Sequence, residues 1–338
     1  MDLWEKYKNY KEHKIKWRIL VLMVFAVLAF LGCVVSLMKG SVDVSYTEIV
    51  QAISGQPAGM NTQIINNIRL PRTIVAALVG VNLSLSGAIL QAVMKNPLAD
   101  PHIIGISSGA GLAGIFVMLV LPDMEVLITP IAFIGAMLAA IGIYLLAWKN
   151  GGIRPVRIIL AGVAVSAFLG AGISALLIFY SDRVHGALMW MIGGLSARSW
   201  PHVEIIYPYT IAGVFLALLG ARHLNILQLG DEIAKGLGLR VELTRIAMTA
   251  LAAMLAASAV SVVGLLGFVG LIVPHATRLL IGSDYRYLLP GSALLGMAVV
   301  TFSDTFARTM FAPTELPVGI IMAILGAPFF LFLLRREI

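Results

Sequence analysis

The chain contains few charged residues and a single cysteine. Charged side chains make up 12% of its 338 residues, about half of the roughly 25% that soluble domains carry. Cys33 has no second cysteine to pair with, which excludes an internal disulfide and a cysteine-based metal site within one chain. There is also no Gly-Lys dipeptide, so the phosphate-binding loop of an ATPase, which requires Gly-Lys-Ser/Thr, is absent. These deficits exclude a soluble domain, a disulfide scaffold and an ATPase of this type.

Apolar sequence takes the place of charge. Hydrophobic residues make up 59% of the chain and the mean hydropathy is +0.95. A membrane-spanning helix needs about 20 apolar residues to cross a hydrocarbon core of ~30 Å. Ten such runs are predicted, at 19–38, 73–94, 102–121, 126–148, 158–180, 203–220, 246–266, 268–281, 289–305 and 317–334. The sequence therefore predicts one all-α membrane domain over residues 1–338, with about ten transmembrane helices and an eighth run that is short for a straight span.

The basic residues indicate how the helices are oriented. If the N-terminus is cytoplasmic, the inside segments hold 18 of the 24 Lys and Arg residues. The outside segments hold the remaining six, which are Lys39, Arg69, Arg72, Arg183, Arg198 and Arg308. The positive-inside rule therefore places both termini in the cytoplasm of a protein surrounded by membrane lipid. The net charge of +7 is explained by this topology, and no soluble basic face indicates a nucleic-acid partner.

A weak internal repeat appears when the chain is aligned with itself at an offset of 173 positions. Arg72 then matches Arg245, and Pro101-His102 matches Pro274-His275. On the predicted topology the two copies, at about 69–200 and 242–338, run in opposite directions, as in the inverted repeats of many transporters. Three matched positions are also compatible with chance.

Each copy contains a segment that interrupts a helix. The stretches 96–111 and 264–275 combine prolines with Gly and Ser. Non-helical backbone at membrane depth is tolerated where it is buried in protein or lines a wet cavity. Gly105 and Gly109 of the first stretch are expected either to pack two helices together or to line a path.

A short polar insert at 229–240 separates two long apolar runs. Asp231 and Glu232 are expected to cap and charge the start of a short helix, Ile233 and Leu237 share one face at i and i+4, and glycines follow. This pattern predicts a handle for a soluble partner, and the alternative is an ordinary solvated loop.

Five blocks in the sequence resemble the signature segments of FecCD-type permeases, in the right order over most of the chain. They are Arg69-Leu-Pro-Arg72, Asn96-Pro-Leu-Ala-Asp-Pro101, Gly267-Phe-Val-Gly-Leu-Ile-Val-Pro-His275, Asp284-Tyr-Arg-Tyr-Leu-Leu-Pro290 and Glu315-Leu-Pro-Val-Gly319. Such permeases are membrane subunits of ABC importers for ferric siderophores, haem and cobalamin. The resemblance implies a ten-helix fold, a homodimer or a pair of similar permease chains, a cytoplasmic ATPase dimer and an extracytoplasmic substrate-binding protein.

The resemblance also implies roles for particular residues. The insert corresponds to the helix that couples the permease to the ATPase, for which the expected residues are Asp231, Glu232, Ala234, Gly236, Leu237 and Gly238. Docking of the binding protein is expected to use Arg69, Arg72 and Arg308, with contact to lipid headgroups as the alternative. The translocation path is expected to narrow at Asn96, Pro97 and Leu98 on the cytoplasmic side and to close at Met189 and Trp190 on the outside.

The predicted function is a permease of the cytoplasmic (inner) membrane that performs no covalent chemistry. A ferric siderophore is the first expected cargo, with haem and cobalamin as alternatives and an ion-coupled secondary transporter as a distant one. ATP and Mg²⁺ are expected on the partner ATPase, and no cofactor on this chain. No metal site is expected either, because no two of the six histidines have the i, i+4 spacing of ligands on one helix. The few ionisable groups within the runs, such as Asp304 and Glu204, are expected at the membrane interface, which leaves a mostly neutral path.

Overall fold

The computed structural model describes residues 3–40, 44–54, 60–102, 105–149, 152–153 and 155–337, and the ends of the predicted domain and positions 103–104 of the first interrupted stretch lie outside these ranges. Within them the chain is almost entirely helical. Its α-helices are α1 (Leu3–Met38), α2 (Tyr46–Ile53), α3 (Met60–Ile64), α4 (Leu70–Met94), α5 (Ile106–Val120), α6 (Ile128–Ala147), α7 (Pro155–Phe179), α8 (Val184–Ile192), α9 (Trp200–Leu227), α10 (Asp231–Gly236), α11 (Val241–Val263), α12 (Val269–Ile281), α13 (Tyr285–Thr309) and α14 (Val318–Glu337).

The remaining regular elements are short. A π-helical turn at Ile65–Arg69 leads into α4, and 3₁₀ turns at Pro122–Leu127 and Ser181–Arg183 precede α6 and α8. Trp148–Lys149 pairs antiparallel with Gly152–Ile153 as a two-residue ladder between α6 and α7.

The predicted fold class is confirmed. Seven of the described helices are long and apolar enough to cross a membrane, and α5, α12 and the Val318–Leu331 part of α14 are shorter apolar helices. Each of the ten predicted runs coincides with one of these ten helices. The eighth run was expected to be short, and α12 has 13 residues.

Helix α4 lies at the centre of the bundle. It packs against α9, α11, α12 and α13. Nearly all residues of α4 are buried, whereas few residues of α7 are. Close approach requires small residues: a Cβ on Gly87 would clash with the carbonyl oxygen of Gly270 in α12. The Ser86 hydroxyl donates to the Ala252 carbonyl at 2.7 Å and the Asn82 amide donates to Ser258 at 2.9 Å, both on α11. Because 82 lies opposite 258 and 86 opposite 252, α4 and α11 run antiparallel.

This antiparallel pair begins with the two arginines that the internal offset matched. Arg72 lies in the first turns of α4 and Arg245 in the first turns of α11, at opposite ends of the bundle, and both are buried. The assignment of repeat halves to 69–200 and 242–338 stays a prediction.

Candidate functional site

The polar insert forms the six-residue helix α10 at the end of the bundle where α4 and α9 end. Its buried residue is Ala234, which anchors it to the bundle, while Ile233 and Leu237 are 57% and 60% exposed. Gly236 is the last helical residue, and Gly238 has φ +82°, a value that favours glycine. The helix is shorter than the predicted 229–240, because the residues flanking it form turns. The helix and the residue that follows it nevertheless expose the apolar pair Ile233 and Leu237, as the spacing predicted.

Asp231 does not cap α10, contrary to the expectation. Gly230 occupies the cap position, and Asp231 instead forms ion pairs with Lys95 (2.7 Å to Nζ) and with the buried Arg245 (3.0 Å to Nη2). Partial burial opposes ionisation of Asp231, yet these hydrogen bonds and positive charges hold the pKa of its carboxyl below its usual value. Glu232 stays exposed. The first residue of α10 is thus tied to the end of α4 and to the start of α11.

Lys95 directly precedes Asn96-Pro97-Leu98, the segment predicted to narrow the translocation path on the cytoplasmic side. It has a left-handed backbone (φ 50°) that ends α4. The Asn96 side chain then accepts a hydrogen bond from the Leu98 backbone N–H at 2.9 Å, and the Asp100 carboxylate accepts one from the His102 N–H at 2.8 Å. These two local turns hold the partly buried Asn96-Pro97-Leu98 segment in place. The segment therefore directly follows Lys95, which forms an ion pair with Asp231 of α10.

A cavity of about 610 Å³ lies along α14 and the start of α12. It is lined by Asp100, His102, Ile192, Leu265, Gly267, Phe268, Leu271, Gly319, Ile320, Ala323, Ile324 and Phe330. The five predicted path residues are not among these, although their near neighbours Asp100, His102 and Ile192 are. The lining is mostly apolar, as expected, but the buried carboxylate of Asp100 makes it less neutral than the sequence suggested, because this residue lies in the break between two spans.

Met189 and Trp190, predicted to close the outer end, lie near the end of α8. The Trp190 carbonyl accepts hydrogen bonds from the backbone N–H groups of Gly193 and Leu265. Gly264 approaches this carbonyl so closely that a Cβ there would clash with it. Met189 and Trp190 also line a second cavity of about 220 Å³, together with Ser196, Arg198 and Glu315. The segment after α8 is thus fastened to the α11–α12 connection.

The three arginines predicted to dock a partner are buried in the single chain. Arg69, Arg72 and Arg308 are 4%, 5% and 5% exposed. Arg69 donates two hydrogen bonds of 2.9 Å to the carbonyls of Leu37 and Met38, and Arg308 donates to the carbonyl and hydroxyl of Ser36. Both therefore neutralise the C-terminal carbonyls of α1. These internal partners explain why arginines occur on the side that the positive-inside rule disfavours, and the docking role stays a prediction.

Arg72 joins three elements through two carboxylates. Its Nε and Nη2 donate to the two Asp304 oxygens at 3.0 and 2.9 Å, and its Nη1 donates to Glu315 at 2.8 Å. The side chain of Asp304, which was expected at the membrane interface, is only 1% exposed. The bidentate arginine supplies the counter-charge that a buried carboxylate needs, and the depth of Asp304 in the membrane stays a prediction.

Glu315 lies between Arg72 and the segment after α8. Burial opposes its ionisation, but hydrogen bonds from Arg72 and Ser196 and the charges of Arg72 and Arg308 hold the pKa of its carboxyl below its usual value. Nearby, burial lowers the pKa of Arg198 to about 10, and the positive charge of Arg72 adds to the shift. Both groups are charged at neutral pH. We call Arg69, Arg72, Arg198 and Arg308, with Asp304 and Glu315, the arginine cluster.

Sequence reasoning did not identify the internal ion pairs that these charged residues form. Asp304 and Arg308 share a helical face at i and i+4, and Glu315 opens one of the five blocks, so a signal existed for each. Nothing in the sequence pairs Asp231 with Lys95, because they are 136 positions apart. Among the described residues, no group of three or more His, Cys, Asp or Glu side chains could hold a metal ion.

Within the described ranges, ten apolar helices, a cavity along α14 and charged clusters at both ends indicate a multi-pass membrane protein. The model of the FecCD transport family matches residues 27–336, and the chain belongs to that family.

Similar proteins are permease components of ABC importers. The chain is 46% identical over 277 residues to the cobalamin import system permease protein BtuC of Halobacterium salinarum, covering 81% of this chain and 74% of the relative. It is 36% identical to the Fe(3+)-citrate import system permease protein YfmD of Bacillus subtilis (94% and 95% covered) and 41% identical to the hemin transport system permease protein HmuU of Yersinia pestis (80% and 83%). A metal-chelate type ABC transporter solved in an inward-facing conformation superposes with a TM-score of 0.84 at 28% identity, covering 94% of this chain and 99% of the other. The chain is an ABC transporter permease and a multi-pass protein of the cytoplasmic membrane, of a family whose members are not themselves enzymes.

Proposed function

We propose that the chain is the permease subunit of a binding-protein-dependent importer, and that it carries an iron chelate, a ferric siderophore first, into the cytoplasm. The observation that carries the proposal is the arrangement of three features along one bundle. An outward-facing apolar pair on α10 lies at one end, a cavity of about 610 Å³ follows α14, and the arginine cluster lies at the other end. In this arrangement, cargo enters at the end with the arginine cluster, and the ATPase acts at the end with α10.

Energy comes from a cytoplasmic ATPase dimer, which binds ATP and Mg²⁺. Ile233 of α10 and Leu237, which directly follows it, provide the apolar contact for one ATPase subunit. Asp231, Glu232, Ala234, Gly236 and Gly238 shape the helix and its ends. The ion pair between Asp231 and Lys95 would pass motion of α10 to the narrowing at Asn96-Pro97-Leu98. The permease then alternates its access without covalent chemistry of its own.

A second permease chain covers the open side of the cavity. Ala323 and Ile324 line the cavity, yet both are exposed in the single chain, Ile324 to 63%. A large exposed apolar face of this kind is expected to be covered by lipid or by a partner. A homodimer is the simplest arrangement, with each copy providing half of the path.

The cargo class is supported by relatives whose names specify Fe(3+)-citrate and hemin. A corrinoid is the second candidate, because the relative that is 46% identical is named as a cobalamin permease. An ion-coupled transporter is a more distant alternative, which the buried Asp100 keeps open.

Uptake into proteoliposomes tests the proposal. The chain is reconstituted with its cognate ATPase and binding protein, and labelled ferric siderophores, haem and cobalamin are offered with and without internal ATP. Uptake of a ferric siderophore that requires ATP is the expected result. ATP-dependent uptake of cobalamin alone would replace the cargo, and uptake driven by an ion gradient without ATP would overturn the importer.

A further inference from the structure

A crevice of about 170 Å³ lies between α6 and α11, and it shares no lining residue with the two cavities described above. Apart from Tyr144 and Thr249, its lining consists of Met, Ala, Ile and Leu side chains. Ile141 and Leu145, which belong to this lining, are 51% and 67% exposed. Because α6 and α11 cross the membrane, the medium that reaches the crevice past these side chains is lipid.

Two hydroxyl groups line this crevice without a hydrogen-bond partner among the described residues. They are the hydroxyl of Tyr144 on α6 and that of Thr249 on α11, and both oxygen atoms are buried. Thr249 as a whole is 6% exposed. A helical threonine can bond to the carbonyl one turn earlier, as Thr210 does to Ile206 at 3.1 Å. Because buried donors without acceptors are costly, the two hydroxyls indicate a ligand that supplies acceptor oxygens.

The apolar lining favours a lipid over water as this ligand. A buried water molecule needs about two to four polar partners in a polar site, whereas this crevice offers two hydroxyls among apolar side chains. A phospholipid has an apolar chain and, beside it, the oxygen atoms that link the chains to glycerol. Trp148, one turn after Tyr144, is 53% exposed, and tryptophan is enriched at the level of the headgroups. Tyr144 is therefore expected just inside that level, at the depth of the linkage oxygens.

We propose that the crevice binds one membrane phospholipid. Its linkage oxygens accept hydrogen bonds from Tyr144 and Thr249, and one of its chains fills the apolar part. The lipid holds α6 against α11, with which it packs. Thr249 lies one turn after Arg245, whose guanidinium pairs with Asp231 of α10, so the bound lipid stabilises α11 next to this ion pair. The inference goes beyond the proposed function and depends on neither the cargo nor the ATPase.

The first test fills the crevice and counts bound lipids. The purified chain in detergent is titrated with dioleoyl phosphatidylglycerol and observed by native mass spectrometry. One lipid per chain is expected to bind at least fivefold more tightly than those that follow. Ala250→Phe, at an exposed position of the lining, is expected to remove this tight lipid.

Ala247→Phe is the matched control for the filled crevice. Ala247 is exposed on the same helix but does not belong to the lining, so affinity for the tight lipid is expected to stay within twofold. Equal lipid binding by Ala250→Phe and Ala247→Phe would overturn the proposal. Absence of a tight lipid in the unchanged chain would overturn it as well, since the crevice would then hold water or nothing.

The second test separates the hydroxyls from the shape of the crevice through thermal unfolding with and without the same lipid. Without lipid, Thr249→Val/Tyr144→Phe removes two unsatisfied hydroxyls, so the midpoint of unfolding is expected to stay the same or to rise. Added lipid is expected to raise the midpoint of the unchanged chain by mass action. The double variant is expected to lose at least half of this rise.

Thr210→Val/Tyr209→Phe is the matched control for the hydroxyls. Thr210 is as buried as Thr249, at 5% exposed, and neither Thr210 nor Tyr209 lines the crevice. This control is expected to keep the full rise with lipid. A full rise in Thr249→Val/Tyr144→Phe, or a midpoint without lipid that falls well below that of the unchanged chain, would overturn the assignment of the two hydroxyls to a lipid.

Discussion

At the scale of single residues, the bidentate pair between Arg72 and Asp304 is the contact on which stability depends most. Neither group can be rehydrated in place, since their side chains are 7% and 1% exposed. Removing one partner of such a pair costs about 3–5 kcal/mol when the other charge is left buried and unpaired. In Asp304→Ala the Arg72 guanidinium loses its buried bidentate counter-ion but keeps its contact with the partly exposed Glu315. The free energy of unfolding is therefore expected to fall by the lower end of that range, about 3 kcal/mol, measured by unfolding of the purified protein in detergent.

Two further variants check the cause of this loss. Asp182→Ala removes an exposed carboxylate and is expected to change stability by less than about 0.5 kcal/mol. The double variant Arg72→Met/Asp304→Leu removes both charges and is expected to recover most of the loss, since apolar replacements of a buried pair are often neutral. If the double variant were as unstable as Asp304→Ala, an unpaired charge would not be the reason.

Charge alone was enough to single out Arg69, Arg72 and Arg308 in the sequence, but not to place them. The positive-inside rule identified them as exceptions and suggested an external partner. The structure gives each an internal partner on a helix that is distant in sequence, such as the end of α1 for Arg69 and Arg308. Such contacts depend on tertiary packing, which no local pattern encodes.

At the scale of elements, α10 is a short helix that is held to the bundle by the buried Ala234 and by the ion pairs of Asp231. Leu237 immediately follows it and is 60% exposed, so a charge there should leave folding intact while adding an unpaired charge to an apolar contact. Leu237→Asp is expected to weaken binding of the ATPase at least tenfold, measured by co-purification and titration. Phe311→Asp places the same charge on an exposed apolar site between α13 and α14 and is expected to bind the ATPase normally. A normal affinity for Leu237→Asp would contradict the role of α10.

The connection between α10 and the end of α4 predicts a defect in coupling rather than in assembly. Lys95→Asn keeps a residue that tolerates the left-handed backbone but removes the ammonium that lies 2.7 Å from Asp231. Because this ion pair is partly exposed, stability should change by less than about 1 kcal/mol. ATP hydrolysis is expected to persist while cargo uptake per ATP falls at least fivefold.

Lys235→Asn provides the matched control for this variant. It removes the same charge from an exposed residue of α10 for which the structure describes no ion pair, and uptake per ATP is expected to be unchanged. Proportional loss of hydrolysis and uptake in Lys95→Asn would mean that Lys95 supports the fold and not the transmission of motion.

Helix positions were predictable because the membrane restricts the options. Apolar runs of about 20 residues have few alternatives to a spanning helix, so all ten coincide with helices, including the short α12. The limits of α10 were less predictable, since a polar insert between two spans forms turns as easily as helix. The structure retains only Asp231–Gly236 of the predicted 229–240 as helix.

At the scale of the whole molecule, the path could not be derived from one chain. The cavity is formed by α12, α14 and the segments between spans, and its lining depends on how these elements pack. The five path residues taken from the family resemblance flank this cavity or line the smaller one. A complete path needs a second surface that covers the exposed face of α14. Whether that surface belongs to another copy of this chain is open to experiment.

Disulfide cross-linking tests whether two copies of this chain face each other, and the presence of a single natural cysteine makes the test simple. Replacing the single cysteine by Cys33→Ala gives a background without thiols, in which Ala323→Cys places one thiol on the exposed, cavity-lining face of α14. If two copies face each other across the path, mild oxidation in membranes is expected to produce a disulfide-linked homodimer. Phe215→Cys, at a 62% exposed position on α9, is the matched control and is expected to remain monomeric. Absence of the Ala323→Cys dimer, with cross-linking only when a related permease chain carrying the same substitution is added, would mean that the path is built from two different chains.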